Sequence, residues 1–325
     1  MKEFEVIRRY FTQQVVKRKD VHLGIGDDCA LVTPGERQHI AVTTDTLVAG
    51  VHFPMETSAR AIGHKSIAVN LSDLAAMGAE PSWISLAITL PEIDEPWIDE
   101  FCAGVFELCE FYNVQLIGGD TTQGPLSITV TAQGQIPFEK HISRSGAKAG
   151  DWLYVTGEIG GAALALQHIQ GKVNVAPKYQ EEIQQRLDFP KARVLAGQAL
   201  REYATSAIDL SDGLVADLAH ICEASNVGAN IVLDNLPISA ALADTVGIEN
   251  AYDLALNGGD DYELLFSVSE DNKVGMETAL ANTGNKITCV GQLNGSDKIT
   301  TTLNNMPVNI CVQNYEHFSN QTTDK

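Results

Sequence analysis

Six short patches of aspartate, most of them flanked by glycine or by a hydroxyl residue, are spread along the chain. They are Gly24-Ile25-Gly26-Asp27-Asp28, Thr43-Thr44-Asp45-Thr46, Asn70-Leu71-Ser72-Asp73, Gly118-Gly119-Asp120, Asp209-Leu210-Ser211-Asp212-Gly213 and Gly258-Gly259-Asp260-Asp261-Tyr262-Glu263. They follow apolar runs. An aspartate at the end of a buried strand is unfavourable unless something neutralises it. Several such sites in one chain suggest a shared cation. Carboxylate, hydroxyl and water oxygens suit Mg²⁺, usually with a phosphate as co-ligand.

Each patch alone has a plainer reading. Asn70 and Asp73 are three residues apart in a helical pattern, so they share a face amid Ile67, Val69, Leu71 and Leu74. A metal, a solvated helix turn or an ion pair with Lys65 would each satisfy Asp73. Thr43 to Thr46 end the apolar run Ile40-Ala41-Val42, and could be a simple polar strand end. Gly118 and Gly119 let a backbone approach a ligand, or form an ordinary turn. Ser211 or Asp212 can cap the helix that follows them. The same helix N-terminus attracts phosphate. Capping explains one acid at that turn but not both.

Better-known phosphate motifs do not fit. Gly24-Ile25-Gly26 is not a Gly-x-Gly-x-x-Gly fingerprint, because Cys29 occupies the last position. No Gly-x-x-x-x-Gly-Lys-Ser/Thr loop is present, and neither the His-Arg-Asp nor the Asp-Phe-Gly signature of protein kinases occurs.

The elements that must position these patches alternate. Helical patterns are expected near 3–18, 59–77 and 95–112, with strands at 21–26, 29–33, 39–48, 83–90, 114–118 and 126–136. A polar stretch from Lys140 to Gly150 separates two domains, 1–142 and 143–325. Beyond it the pattern predicts strands at 152–157, 206–210, 229–234, 262–268 and 287–293. Helices are predicted after Gly160-Gly161, at 179–188, 191–203 and 213–225, near 238–258, and between the last two strands. The fold class is α/β (α+β), with two layered domains in series.

Bulk properties narrow the function. The chain has 325 residues, 44% of them hydrophobic, which suffices for two cored domains. Asp plus Glu number 42 against 22 Lys plus Arg, a net charge of −20. Such a surface repels nucleic acid and anionic membrane, and it repels nucleotides unless metals bridge them. No apolar run approaches the ~18 residues of a membrane span. The N-terminal residues do not read as a secretory signal, so a cytoplasmic location is expected. The six cysteines contain no Cys-x-x-Cys pair and read as reduced thiols.

Taken together and in order, the patches resemble the thiamine-monophosphate kinase family, from about residue 4 to about 318. The similarity rests on Gly24–Ala30, Thr43–Phe53, Asn70–Ala79, Gly118–Thr122, Ser143–Lys148, Asp209–Leu214 and Asp261–Leu264. It implies an aminoimidazole-ribonucleotide-synthetase-like fold with an N-terminal, ATP- and Mg²⁺-binding domain that forms a homodimer. It also implies transfer of the γ-phosphoryl of ATP to thiamine monophosphate with the help of several Mg²⁺ ions. By position in the family pattern, Asp28, Thr43, Thr44, Asp45, Asp73, Asp120, Asp209 and Asp212 are the metal ligands. Gly119, Asp120, Arg144 and Ser211 match nucleotide-contacting positions. His52, Asp260 and Tyr315 match substrate-contacting positions. Asp260 departs from the family's usual glutamate by one methylene, and Asn314 and Glu316 replace the more usual Gly and Asp beside Tyr315. Within the superfamily, selenophosphate synthetase needs a reactive cysteine near its N-terminus, whereas the first cysteine here is Cys29. A purine-pathway synthetase, or a non-catalytic nucleotide or thiamine-phosphate sensor on the same scaffold, would share the same outline.

Overall fold

The computed structural model describes residues 2–309, so Tyr315 and Cys311 lie outside the described residues. In chain order the elements are α1 (Glu3–Arg9), β1 (Val21–Leu23), β2 (Leu31–Val32), β3 (Gln38–Val48), α2 (Ala59–Ala76), β4 (Glu80–Leu90), α3 (Glu95–Tyr112), β5 (Gln115–Gln123) and β6 (Ser127–Pro137). Next come β7 (Trp152–Thr156), α4 (Gly161–Ile169), α5 (Pro177–Asp188), α6 (Val194–Leu200), β8 (Ala204–Asp209), α7 (Leu214–Ser225) and β9 (Gly228–Val232). The last are α8 (Ala240–Val246), α9 (Ile248–Asn257), β10 (Leu264–Val268), α10 (Lys273–Ala281), β11 (Ile287–Asn294), β12 (Ile299–Leu303) and β13 (Met306–Val308). They form two compact units, Met1–Ile142 with Asp188–Glu202, and Ser143–Leu187 with Tyr203–Lys325.

The first unit is built on a four-stranded mixed sheet in the order β3-β6-β4-β5. Only β4 and β5 run parallel. The strand period of two divides β3 and β6 cleanly. Ile128, Val130, Ala132 and Ile136 are buried on one face, where α2 packs. Ile40, Val42, Thr44 and Thr46 are exposed on the other. Helix α2 is buried on nearly all sides, which explains why its sequence lacks a polar face. Helix α6 closes its far side although it follows α4 and α5 in the chain. Gly197 makes this possible, because a Cβ there would stand 1.9 Å from the Ala75 carbonyl oxygen. Arg201 Nε then donates to Gly78 O (2.5 Å), and the Tyr112 hydroxyl donates to Ala192 O (2.8 Å).

The second unit is a seven-stranded sheet in the order β13-β12-β9-β11-β7-β10-β8, antiparallel except for β12 beside β9. Leu153, Val155, Ile208, Leu265 and Val290 form its core with Leu214, Leu218 and Ile221 of α7.

Two expectations need correcting. The helix predicted over 3–18 stops at Arg9 and gives way to a short turn, Phe11–Gln13. The side chains of Thr12 and Gln13 take the Arg8 carbonyl, and Gln14 exchanges hydrogen bonds with Leu116 (2.6 and 2.8 Å), so the chain is drawn onto β5. The C-terminal hairpin β12–β13 is not anticipated by the strand pattern. Asn304 and Asn305 at its tip both have positive φ (51° and 61°), the pair that a tight two-residue hairpin needs.

Candidate active site

In the first unit the acidic patches lie within strands, a turn and helix α2 rather than at strand ends. Thr43, Thr44 and Asp45 sit inside β3, opposite Ala132, Thr131 and Val130 of β6. Alternation along the strand separates them. The Thr44 hydroxyl pairs with that of Thr131 (2.9 Å) on the open face. Thr43 turns the other way, and its hydroxyl donates to the Asp73 carboxylate on α2. Asp45 feels the same carboxylate. Burial and the charge of Asp73 push the Asp45 carboxyl up to about 6. The structure thus brings Thr43, Asp45 and Asp73 together, and leaves Thr44 only its backbone on that side. Asn70 shares α2 with Asp73 but is fully buried, with its amide donating to Ser66 O (3.1 Å).

Asp120 also lies within a strand. β5 continues through Gly118, Gly119 and Asp120 beside β4, with Asp120 opposite Ala87. Gly119 is demanded by packing. Its φ is +153°, and a Cβ would stand 1.8 Å from the Leu86 carbonyl oxygen. Asp120 and Gly119 line a cleft of about 860 Å³ together with Asp27 and Asp28 of the first patch. The Asp28 amide donates to Asp27 Oδ1 (2.8 Å), which shapes this turn. His52 lies in the turn after β3. Its Nδ1 accepts from the Val48 amide (3.0 Å), so the neutral ring carries its proton on Nε2.

In the second unit Asp209 ends β8, buried, and Ser211 and Asp212 follow in the turn to α7. Neither Ser211 nor Asp212 caps the helix. The N-cap is Gly213, without a side-chain bond. Asp217, from within α7, accepts instead from the Asp212 and Gly213 amides (3.1 Å each). Burial, then the Asp212 charge, pushes the Asp217 carboxyl up to about 7. The turn is laced to the last patch: Asp260 N–H donates to Ser211 O (2.9 Å), Tyr262 N–H to Leu210 O (2.8 Å) and Leu210 N–H to Glu263 O (2.8 Å). Asp260 therefore lies beside Ser211. Its φ is +68°, and its carboxylate accepts from the Tyr262 hydroxyl (3.0 Å).

Two acids of the last patch serve this scaffold. Asp261 accepts from Gly160 N–H (2.7 Å) at the start of α4, and burial pushes its carboxyl up to about 8. Glu263 is buried and accepts from the Thr156 hydroxyl (2.5 Å). Arg144 is exposed in the same unit, its carbonyl accepting from Ser225 Oγ (3.1 Å). Among the described residues no three His, Cys, Asp or Glu side chains converge closely enough to hold a metal on their own. The acids instead form three groups: Asp28 with Asp120, Asp45 with Asp73, and Asp209, Asp212 and Asp260 on the second unit. Asp217 is the residue that sequence reasoning missed, and its position four after Gly213 was the available signal.

Residues 26–136 match the family model of the AIR synthase related protein, N-terminal domain, and residues 148–304 that of its C-terminal domain. The chain is similar to the thiamine-monophosphate kinase of Escherichia coli, with 48% identity over 319 residues and 98% of each protein covered. It is similar to the crystal structure of thiamine-monophosphate kinase from Stenotrophomonas maltophilia, with 42% identity and a TM-score of 0.86 over 93% of this chain and 97% of that one. It is also similar to AaThiL complexed with AMPPCP and TMP, with 30% identity and a TM-score of 0.76 over 90% and 92%. These likenesses and the two mixed sheets establish a two-domain AIR synthase-like fold.

Proposed function

The chain belongs to the thiamine-monophosphate kinase family, a family of phosphotransferases, and from that premise we propose that it transfers the γ-phosphoryl of ATP to thiamine monophosphate. The products are thiamine diphosphate and ADP. The presence of AMPPCP with TMP on AaThiL supports this pairing of donor and acceptor.

The observation that carries the reading is the Asp45–Asp73 pair. The Asp73 carboxylate on α2 accepts from the Thr43 hydroxyl of β3, and its charge together with burial opposes ionisation of Asp45 on the same strand. Two carboxylates and a hydroxyl gathered on one side of the sheet make an all-oxygen donor set that suits a hard divalent cation. Asp28, Thr43, Thr44, Asp45, Asp73 and Asp120 of the first unit, and Asp209 and Asp212 of the second, would hold several Mg²⁺ ions. When bound, these supply the positive charge that lets two phosphate groups approach in a protein of net charge −20.

The chain's own groups do the positioning. The acceptor is a phosphate oxygen, already ionised near neutral pH because its second pKa is about 6. No general base is needed, and none is assigned. The Gly118–Asp120 segment and Ser211 border the nucleotide, and Arg144 adds a fixed positive charge at its phosphates. His52, whose neutral ring carries its proton on Nε2, is assigned to the acceptor substrate, and so is Asp260. Tyr315, outside the described residues, is assigned there too. Alignment and electrostatics then account for the rate, by direct in-line transfer without a phospho-enzyme.

The exposed Ile40 and Val42 on edge strand β3 favour a homodimer joined through the first unit's sheet. Among the described residues no helix is long and apolar enough to cross a membrane, and a cytoplasmic location fits the substrates. Incubation with ATP, Mg²⁺ and thiamine monophosphate should yield thiamine diphosphate. Binding of both ligands without that product would instead favour a sensor on the same scaffold.

A further inference from the structure

The last acidic patch carries two residues in a backbone conformation that L side chains rarely adopt. Asp260 and Tyr262 have φ of +68° and +49°, on either side of Asp261. Such a conformation persists only where the surroundings over-determine it, and here they do. Gly259 lies so close to the turn before α7 that a Cβ would stand 2.5 Å from the Ser211 carbonyl oxygen. The Asp260 and Tyr262 amides donate to Ser211 O and Leu210 O (2.9 and 2.8 Å). Asp261, between them, is turned inward to the Gly160 amide at the start of α4. The loop backbone is thus tied on both sides. The Asp260 side chain stays half-buried, whereas Tyr262 is buried, and its hydroxyl donates to Asp260 Oδ1 at 3.0 Å.

We propose that Tyr262 is a positioning residue for the acceptor substrate: its hydroxyl sets the orientation of the Asp260 carboxylate, which then meets thiamine monophosphate. The inference rests on the reading of Asp260 as a substrate contact and adds the group that orients it. An aspartate side chain turns about two bonds, and a ligand that uses one of its rotamers must immobilise it on binding. A buried phenol bonded to one carboxylate oxygen removes that cost in advance. A hydroxyl donor also orients a carboxylate without cancelling its charge, as a lysine or arginine partner would, so the charge remains available to the cationic thiazolium of thiamine. A tyrosine that served only to hold the loop would act differently. The loop is bonded to Ser211, which is assigned to the nucleotide, so its loosening would weaken both substrates alike.

The test is calorimetric binding of thiamine monophosphate and of AMPPCP to the full-length protein with Mg²⁺, together with steady-state kinetics. Tyr262→Phe keeps the ring and removes the hydroxyl. It should raise the Kd and KM for thiamine monophosphate roughly three- to tenfold, the cost of immobilising one side chain. The kcat and the Kd for AMPPCP should not change, and the latter reports an intact fold. Asp260→Gly removes the carboxylate and tolerates the positive φ, so it too should weaken thiamine monophosphate. Adding Tyr262→Phe to Asp260→Gly should then cost nothing further, because the hydroxyl acts through that carboxylate. Unchanged thiamine monophosphate affinity in either single variant, an equal loss for AMPPCP, or a Tyr262→Phe loss of full size in the Asp260→Gly background would each overturn the inference. Because binding is read directly, the two claims separate. A chain that binds thiamine monophosphate through Tyr262 and Asp260 yet makes no thiamine diphosphate keeps this inference and loses the kinase reading. A chain that makes thiamine diphosphate while Tyr262→Phe binds like wild type does the reverse.

Discussion

Replacing Asp45 with asparagine should make the metal-free protein more stable while abolishing most of its turnover. Burial and Asp73 raise the Asp45 carboxyl from its usual 3.8 to about 6. A carboxylate that is harder to ionise in the folded state favours folding when protonated and opposes it when ionised. Stability from this group is therefore greatest at acid pH and falls as pH rises from about 4 to about 6. At 1.36 kcal/mol per tenfold change in acidity, the full displacement corresponds to about 3 kcal/mol at pH 8. Solvent reaches part of this side chain, which reduces the effect to roughly 1–2 kcal/mol. Asparagine keeps the shape and removes the charge. Metal-free Asp45→Asn should then melt roughly 2–8 °C above wild type at pH 8, the gap shrinking at pH 5. Saturating Mg²⁺ should reverse the order, because only the wild type gains the full metal contribution. Thermal melts with chelator and with Mg²⁺, at both pH values, read this out. An Asp45→Asn protein that melts below wild type in chelator at pH 8 would refute the reasoning that burial and the Asp73 charge oppose ionisation of Asp45.

Four further outcomes follow from the same geometry. Asp217→Ala should lose about 2–3 kcal/mol in denaturant melts, since the Asp212 and Gly213 amides lose their acceptor, whereas Asp217→Asn keeps an acceptor oxygen and should lose about 1 kcal/mol or less. With its carboxyl raised to about 7, Asp217 itself should make wild-type stability fall as pH climbs from about 4 to 7, a slope that Asp217→Asn removes. Gly119→Ala should yield little soluble protein, because the methyl group meets the Leu86 carbonyl at 1.8 Å and the backbone holds φ +153°. Asp212→Asn should leave the melting temperature in chelator within about 2 °C of wild type while lowering kcat by roughly 100-fold or more, and wild-type turnover in that variant would remove Asp212 from the metal set.

The acidic residues themselves are legible from type and spacing, and the alternation of strands with helices points to the fold class. Their geometry is less so. Thr43 to Asp45 read as neighbours with one role, but a strand's period of two sends Thr44 to the open face and Thr43 and Asp45 toward α2. Gly118-Gly119-Asp120 reads as a turn because glycine punctuates turns, yet tertiary packing against β4 holds the segment extended. The cap of α7 is expected in front of the helix, at Ser211 or Asp212, and lies inside it at Asp217. Gln14, with hydrogen bonds reaching Leu116 across 102 residues of chain, ends a helix that local pattern alone extends to residue 18. Each of these depends on a partner distant in sequence or on packing, which periodicity cannot register.

The most direct test follows the phosphoryl group itself. In a single turnover with ATP labelled at the γ-phosphorus, thiamine monophosphate and Mg²⁺, the label should appear in thiamine diphosphate as ADP forms, one for one, with none on the protein. Label on the protein, or ADP formed without labelled thiamine diphosphate, would contradict direct transfer between the two substrates.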